Sequence, residues 1–167
     1  MTRTRLATEA DAEPIALIYN EGIADRGATF ETEPRTTDDI VRGLRARASR
    51  WPTVVVERDG GVIAWASASE YRPRACYAGI ADFSVYVARD ARGTGAGHAA
   101  MEALVRECES RGIWKLLSRV FPENEASRKL LAKVGFREVG TYRRHAKLDG
   151  AWRDAVIVER LIGEAAG

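Results

Sequence analysis

Two periodicities of hydrophobic positions alternate along the chain, and together they predict four helices and seven strands. Apolar residues recur three or four positions apart in stretches at 8–26, 36–48, 94–111 and 122–134. Runs rich in Val, Ile and aromatic residues predict strands at 3–7, 53–57, 62–69, 79–87, 114–121, 136–147 and 152–161. This order, β-α-α-β-β-β-α-β-α-β-β, predicts a mixed α/β (α+β) protein with a mixed sheet and helices on both faces.

Local signals support several of these boundaries. Residues Thr8–Asp11 resemble a capping box at the start of the first helix. Asp59–Gly61 is a hairpin turn between the second and third strands. The second helix should turn Ile40, Leu44 and Ala48 towards the core, since these residues share one helical face.

The stretch at 85–98 carries the strongest chemical signal. A β-favouring run ends at Val87, and Gly93, Gly95 and Gly97 then precede a helical apolar pattern. Glycines let the backbone approach a ligand closely, and the first N–H groups of a helix have no partner within the helix. A strand, a glycine turn and a helix in this order therefore predict a phosphate-binding turn.

Four interpretations of this turn compete. A nucleoside-triphosphate P-loop is excluded, because His98-Ala99 stands where that loop needs Lys followed by Ser or Thr. Gly95-x-Gly97-x-x-Ala100 matches a dinucleotide fingerprint, but the usual acidic residue about 20 positions later is missing. Of the remaining two, one is a left-handed turn that binds nothing, and the other depends on a family resemblance that is described below.

Composition limits the class of protein. The 167 residues suggest one domain over 1–167, and a net charge of +2 argues against a nucleic-acid surface. No apolar run reaches the length of a membrane span, and no apolar signal core follows the N-terminus. The distant Cys76 and Cys108 suggest reduced thiols in a cytoplasmic protein, and two histidines without clustered ligands predict no metal site.

Three motifs resemble those of the GCN5-related N-acetyltransferases (GNAT). Arg92-x-x-Gly95-x-Gly97 resembles the family's pyrophosphate turn, and Asn124-x-x-Ser127 resembles its second cofactor segment. The stretch at 28–34 is similar to the phosphinothricin acetyltransferase branch, and stretches at 71–79, 114–119 and 147–150 resemble arsinothricin-resistance enzymes. The resemblance implies a central, mostly antiparallel seven-stranded sheet whose strands four and five splay apart.

Acetyl-CoA is the co-substrate that this resemblance implies. In the family, the pantetheine arm lies between the splayed strands, so Val85 and Val87 would offer backbone groups while Tyr86 points to the opposite face. A backbone N–H near Val85 would polarise the thioester carbonyl. Asn124 would bind the pantetheine arm, and Ser127 would either join it or serve only as a hydroxyl of the first helical turn.

The pyrophosphate would lie on the glycine turn, with Arg92 supplying charge beside it. The residues that would form this cradle are Gly93, Thr94, Gly95, Ala96, Gly97 and His98.

Proton transfer is the step at which the sequence departs from the family pattern. An amine must lose a proton before it attacks, and the branch has Glu near the end of strand four where this chain has Asp82. Asp82 would accept the proton directly or through water, or would only pair with a nearby Arg. Relatives often have Tyr or His at the position of Leu131, so Tyr142 or His145 would serve as the acid, or none is needed.

The resemblance also implies a small amine as acceptor. Arg72 and Arg74 would bind anionic ends of a phosphinothricin-like amino acid, or are solvated loop cations, and Phe30 would wall its pocket. The branch implies a homodimer. Acetylation of a protein N-terminus, a lysine or a polyamine is a second possible activity. The sequence also allows a non-catalytic acetyl-CoA sensor or a dinucleotide-dependent oxidoreductase.

Overall fold

One seven-stranded sheet runs through the protein in the computed structural model, which describes residues 1–47 and 49–167. The strands are β1 (Thr2–Leu6), β2 (Thr53–Arg58), β3 (Gly61–Glu70), β4 (Ile80–Val87), β5 (Lys115–Val120), β6 (Arg137–Leu148) and β7 (Ala151–Leu161). The helices are α1 (Ala12–Asp25), α2 (Thr37–Arg47), α3 (Ala96–Ser110) and α4 (Glu125–Lys133). The strand order in space is β1-β2-β3-β4-β5-β7-β6.

Helices cover both faces of this sheet, as the sequence predicts. On one face, α1 packs with Ile15 and Ile18 against Val55 and Trp65. On the other face, α3 and α4 enclose the larger core cluster. In α2, Leu44 is buried and Ile40 is half-buried, whereas Ala48 lies outside the described residues. No helix in the described ranges is both long and apolar enough to cross a bilayer.

The predicted splay between β4 and β5 is confirmed. These strands are parallel and pair only from Ile80 with Lys115 to Asp82 with Leu117. The other five neighbouring pairs in the sheet are antiparallel. Beyond Asp82, β4 continues beside β3 up to Val87 and leaves a gap on its β5 side.

A close backbone approach holds the paired end of β4 and β5 together. The carbonyl of Gly79 accepts hydrogen bonds from the N–H groups of Trp114 at 2.8 Å and Lys115 at 3.2 Å. A Cβ atom at Gly79 would lie only 1.9 Å from the nearest atom of the Trp114 ring. The chain therefore needs glycine at this position, immediately before β4 begins.

The predicted glycine turn leads into α3, which begins at Ala96 rather than at Thr94. Gly93 and Gly95 have φ of 77° and 89°, so the backbone is left-handed twice before the helix starts. The Thr94 hydroxyl donates to the Ala91 carbonyl at 2.5 Å and closes the turn.

Candidate active site

The gap between β4 and β5 opens into two adjoining cavities. The larger has a volume of about 830 Å³ and the smaller about 360 Å³. Their shared walls are formed by Ala28, Val85, Tyr86, Asn124 and Ser127. A ligand that extends from one cavity into the other must therefore pass beside β4 and the start of α4.

Most of the predicted cofactor residues lie in the wall of the larger cavity. These residues are Val85, Tyr86, Val87, Arg92, Gly93, Gly95, Gly97, His98, Asn124 and Ser127. Thr94 and Ala96 belong to the same turn but form no part of that wall, and Ala96 is buried. Only their backbone groups are thus in a position to serve the predicted cradle.

The start of α3 suits a phosphate. The N–H of Ala99 donates to the Gly95 carbonyl at 3.1 Å, so the N–H groups of Ala96, Gly97 and His98 precede the ladder of the helix. Such groups bind anions, and the helix dipole adds positive potential there. Gly97 also allows α3 to approach α4, since a Cβ atom there would lie 2.9 Å from Leu130 Cδ2.

Charged side chains surround this turn. Arg92 Nη1 contacts Asp25 Oδ2 at 2.9 Å, and Arg89 Nη2 contacts the other oxygen at 2.7 Å. Hydrogen bonds from Arg89 and Arg92 lower the pKa of Asp25, which keeps it ionised. Arg92 shares the wall of the larger cavity with Lys129 and Lys133, so the cations outnumber the one carboxylate of Asp25 there.

The backbone of β4 presents hydrogen-bonding groups to the gap. The N–H of Ala88 donates to the Ile63 carbonyl on the β3 side at 2.8 Å. Because backbone groups alternate in direction along a strand, Val87 and Val85 point theirs away from β3 and into the gap. The Ser118 hydroxyl of β5 donates to the Phe83 carbonyl at 2.9 Å, which agrees with this alternation.

Tyr86 lies on the opposite face of β4, as the sequence predicts. Its ring stacks on Trp65 with centroids 5.1 Å apart and meets Tyr19 edge-on at 4.9 Å. A Cβ atom at Gly22 would lie 2.8 Å from this ring, so α1 needs glycine to pack here. Burial raises the pKa of the Tyr86 hydroxyl, which therefore remains protonated.

Asn124 is the N-cap of α4, and its Oδ1 accepts the Ser127 backbone N–H at 3.2 Å. This contact directs the start of α4 towards both cavities. It leaves the Asn124 amide NH₂ as a donor for a ligand in the gap.

Aromatic and ionisable groups meet in the smaller cavity. Phe30, Asp82, Arg119, Phe121 and His145 contribute to its wall. Phe30 meets Phe121 edge-to-face, with ring centroids 4.9 Å apart. The cavity therefore combines apolar sides with a carboxylate and a guanidinium.

Asp82 lies where β4 and β5 separate. It is the third residue of β4, so the prediction that it stands near the end of this strand is wrong. Its Oδ1 is 3.3 Å from Arg119 Nη1. Burial raises the pKa of Asp82 above that of an exposed carboxyl, while Arg119 and the more distant Arg72 act in the opposite direction. The structure thus provides the Arg partner that the sequence left open.

The comparisons with known proteins agree with this geometry. The model of the acetyltransferase (GNAT) family matches residues 16–136. The chain belongs to the GNAT family. It is 33% identical to phosphinothricin N-acetyltransferase of Alcaligenes faecalis, over 93% of this chain and 80% of the relative.

Two further relatives extend the comparison. L-methionine sulfoximine/L-methionine sulfone acetyltransferase of Pseudomonas paraeruginosa is 28% identical, over 93% of this chain and 91% of the relative. The crystal structure of a phosphinothricin acetyltransferase from Sinorhizobium meliloti in complex with AcCoA has a TM-score of 0.90 and 29% identity, covering 98% of this chain and 90% of that one. Within the GNAT family, this chain is therefore similar to acetyltransferases that are named for small amino acid analogues as substrates.

Two of the predicted substrate residues lie away from the cavities of this GNAT protein. Arg72 and Arg74 precede β4, are exposed, and form no part of either wall. Arg72 instead lies over the Tyr71 ring at 4.9 Å.

The acid position is apolar here, as expected. Leu131 is buried and contributes to the wall of the smaller cavity. Of the two candidate acids, His145 contributes to that wall, whereas Tyr142 forms no part of it and has its ring 5.0 Å from that of His145.

Sequence reasoning missed Arg119 and Phe121, which both belong to the wall of the smaller cavity. Residues two apart in a strand share a face, so Arg119 lies on the same face as Leu117, the partner of Asp82. This signal becomes readable only once the parallel register of β4 and β5 is known.

Proposed function

We propose that this protein transfers the acetyl group of acetyl-CoA to the α-amino group of a small amino acid analogue of the phosphinothricin, arsinothricin or methionine sulfone type. The observation that carries the proposal is the junction of the two cavities at the β4–β5 splay, with Asp82 beside it. Resistance to an antimetabolite is the expected use, because acetylation removes the positive charge of the amine. A protein N-terminus, a lysine or a polyamine is the alternative acceptor.

The larger cavity fits acetyl-CoA, which supplies the activated acetyl group. The N–H groups at the start of α3, with Arg92 beside them, would hold the pyrophosphate. Val85 and Val87 would pair with the pantetheine arm, and Asn124 would donate to it from the other side. Ser127 lies close enough to join this contact, since it contributes to both walls.

The smaller cavity would hold the acceptor, with Phe30 and Phe121 against its carbon chain. Asp82 would accept the proton of the acceptor ammonium, either directly or through water. The Val85 N–H, which faces the gap, would donate to the carbonyl oxygen on which negative charge develops. Arg72 and Arg74, which lie outside the walls in the loop before β4, would attract the distal anionic group of the acceptor.

Replacement of Asp82 tests the proposed base. Asp82→Asn keeps the shape of the side chain and removes the base, so we expect kcat to fall roughly 100- to 10,000-fold. The KM for acetyl-CoA should stay within about twofold, because Asp82 borders only the smaller cavity. Thiol release with phosphinothricin, methionine sulfone, arsinothricin, a polyamine and an N-terminal peptide measures both constants and ranks the acceptors.

The pH profile adds a second test of Asp82. The base acts only when ionised, so activity falls as the pH drops through its pKa. Because burial raises this pKa, the acidic limb of kcat/KM should lie above the range of an exposed aspartate. The limb should vanish in Asp82→Asn, and an unchanged limb in that variant would assign it to another group. Tight binding of acetyl-CoA without turnover of any amine would instead favour a sensor.

We also propose a homodimer in the cytoplasm, where acetyl-CoA is available. Val139 and Tyr142 on β6 and Trp152 on β7 are exposed apolar side chains that a second copy would cover. Light scattering on the purified protein tests this, and a monomer at micromolar concentration would contradict it.

A further inference from the structure

Arg119 has no role in the mechanism above, although it lies inside the acceptor cavity. Within residues 1–47 and 49–167, the wall of this cavity contains one Arg or Lys side chain, that of Arg119. Its side chain is 40% exposed, so part of it is accessible to a molecule in the cavity.

The contact between Arg119 and Asp82 leaves most of the guanidinium available. Arg119 Nη1 approaches Asp82 Oδ1 at 3.3 Å. A guanidinium has five N–H donors in a planar fork, and this contact uses one of them. The remaining donors can bind a carboxylate in the same cavity through two parallel hydrogen bonds.

The chemistry of an α-amino acid matches this pair of side chains. Its carboxylate is bonded to the carbon that carries the amine, so the two charged groups are neighbours. An amino acid whose amine lies against Asp82 therefore has its carboxylate close to the side chain that neighbours Asp82. That neighbour is Arg119. The anionic Asp82 would face the ammonium group of the amino acid, and the cationic Arg119 would face its carboxylate.

We propose that Arg119 binds the α-carboxylate of the acceptor while Asp82 receives the proton of the adjacent amine. This inference rests on the proposed function and deepens it. Arg119 then selects free α-amino acids and disfavours polyamines and peptide N-termini, because neither carries a carboxylate beside its amine. Arg72 and Arg74 remain available for the distal head group.

Two matched pairs of acceptors test the proposal. Phosphinothricin is compared with 3-aminopropyl(methyl)phosphinic acid, and methionine sulfone with 3-(methylsulfonyl)propylamine; each second compound lacks only the α-carboxylate. Arg119→Gln should lower kcat/KM for the two amino acids by roughly 10- to 100-fold, the range for a lost hydrogen bond to a charged group. The same change should lower kcat/KM for the two amines much less, because with them Arg119 acts only through its contact with Asp82. Amines and amino acids differ in basicity, but this difference is the same for the unaltered enzyme and for Arg119→Gln. It therefore cancels when the fold-change caused by the substitution is compared between the two acceptor classes.

Two further variants serve as controls. Arg119→Lys keeps the charge without the fork and should recover part of the preference for amino acids. Arg42→Gln removes a comparable Arg–Asp pair on α2 and should change neither acceptor class. If Arg119→Gln lowers kcat/KM equally for amino acids and amines, Arg119 does not recognise the carboxylate. If the unaltered enzyme acetylates none of the four compounds, the proposed function itself fails, and this outcome is distinguishable from the former.

Discussion

Gly79 offers a stringent test of how the fold positions the site. Its carbonyl accepts hydrogen bonds from the N–H groups of Trp114 and Lys115, which holds the start of β4 in place. Gly79 lies three residues before Asp82. A Cβ atom at Gly79 would lie 1.9 and 2.2 Å from atoms of the Trp114 ring, whereas real Cβ contacts essentially never fall below 3.0 Å. Gly79→Ala therefore forces the ring or the strand to move by at least about 1 Å.

The size of this effect follows from the kind of atom that must move. The fused ring of a Trp side chain cannot move aside as easily as the end of a flexible side chain. The loss in the free energy of unfolding should therefore lie near the upper end of the usual range for overpacking. We take about 3 kcal/mol in the free energy of unfolding. For a protein of this length, each kcal/mol lowers Tm by about 2–4 °C, which gives an expected loss of about 6–12 °C.

Thermal unfolding followed by circular dichroism measures this loss. Gly140→Ala is the matched control, because no atom lies within 4 Å of its built Cβ atom and its φ is not left-handed. Activity at about 20 °C should fall in Gly79→Ala even where the variant is folded, since Asp82 shifts with the start of β4. A Tm for Gly79→Ala within about 2 °C of the unaltered protein would refute the packing argument.

Two other substitutions, with one control, distinguish an effect on acetyl-CoA binding from an effect on acceptor binding. Gly95→Ala places a side chain at φ of 89° with no neighbouring atom within 4 Å, so it costs about 1–2 kcal/mol through the backbone alone. It should raise the dissociation constant of acetyl-CoA by about tenfold in calorimetry. Gly60→Ala is the control, because Gly60 has φ of 81° in the β2–β3 turn. It should lower Tm by a similar amount and leave the dissociation constant of acetyl-CoA unchanged. Equal dissociation constants for the two variants would show that Gly95 has no part in binding acetyl-CoA. Arg74→Ala should raise the acceptor KM by roughly tenfold and leave the acetyl-CoA KM unchanged in steady-state assays; equal changes in both would count against its role in binding the acceptor.

The fold was largely predictable because its signals are local. Period, caps and turn residues mark each helix and strand within a few positions, and Gly93 and Gly95 indicate a left-handed backbone directly. The shift at the start of α3 has a local cause too. A helix cannot include Gly93 and Gly95 in left-handed conformation, so α3 begins at Ala96 and not at Thr94.

The smaller cavity was less predictable because its walls join distant segments. Phe30, Asp82, Arg119 and His145 come from four separate parts of the chain. Their proximity depends on the register of β4 with β5 and on the path of β6, neither of which leaves a periodic pattern. The requirement for glycine at position 79 is hidden for the same reason, since its cause is the Trp114 ring, which is distant in sequence.

The alternation of β4 explains how one strand can serve two substrates. Even-numbered residues such as Asp82 and Tyr86 turn their side chains to the face of β4 on which Tyr86 packs with α1. Odd-numbered residues such as Val85 and Val87 pack their side chains on the α3 face and turn their backbone groups into the gap. The end of β4–β5 pairing after Asp82 exposes both sets at once. Of the β4 residues, Asp82 borders only the smaller cavity and Val87 only the larger one, whereas Val85 and Tyr86 contribute to both walls and so lie where the two cavities meet.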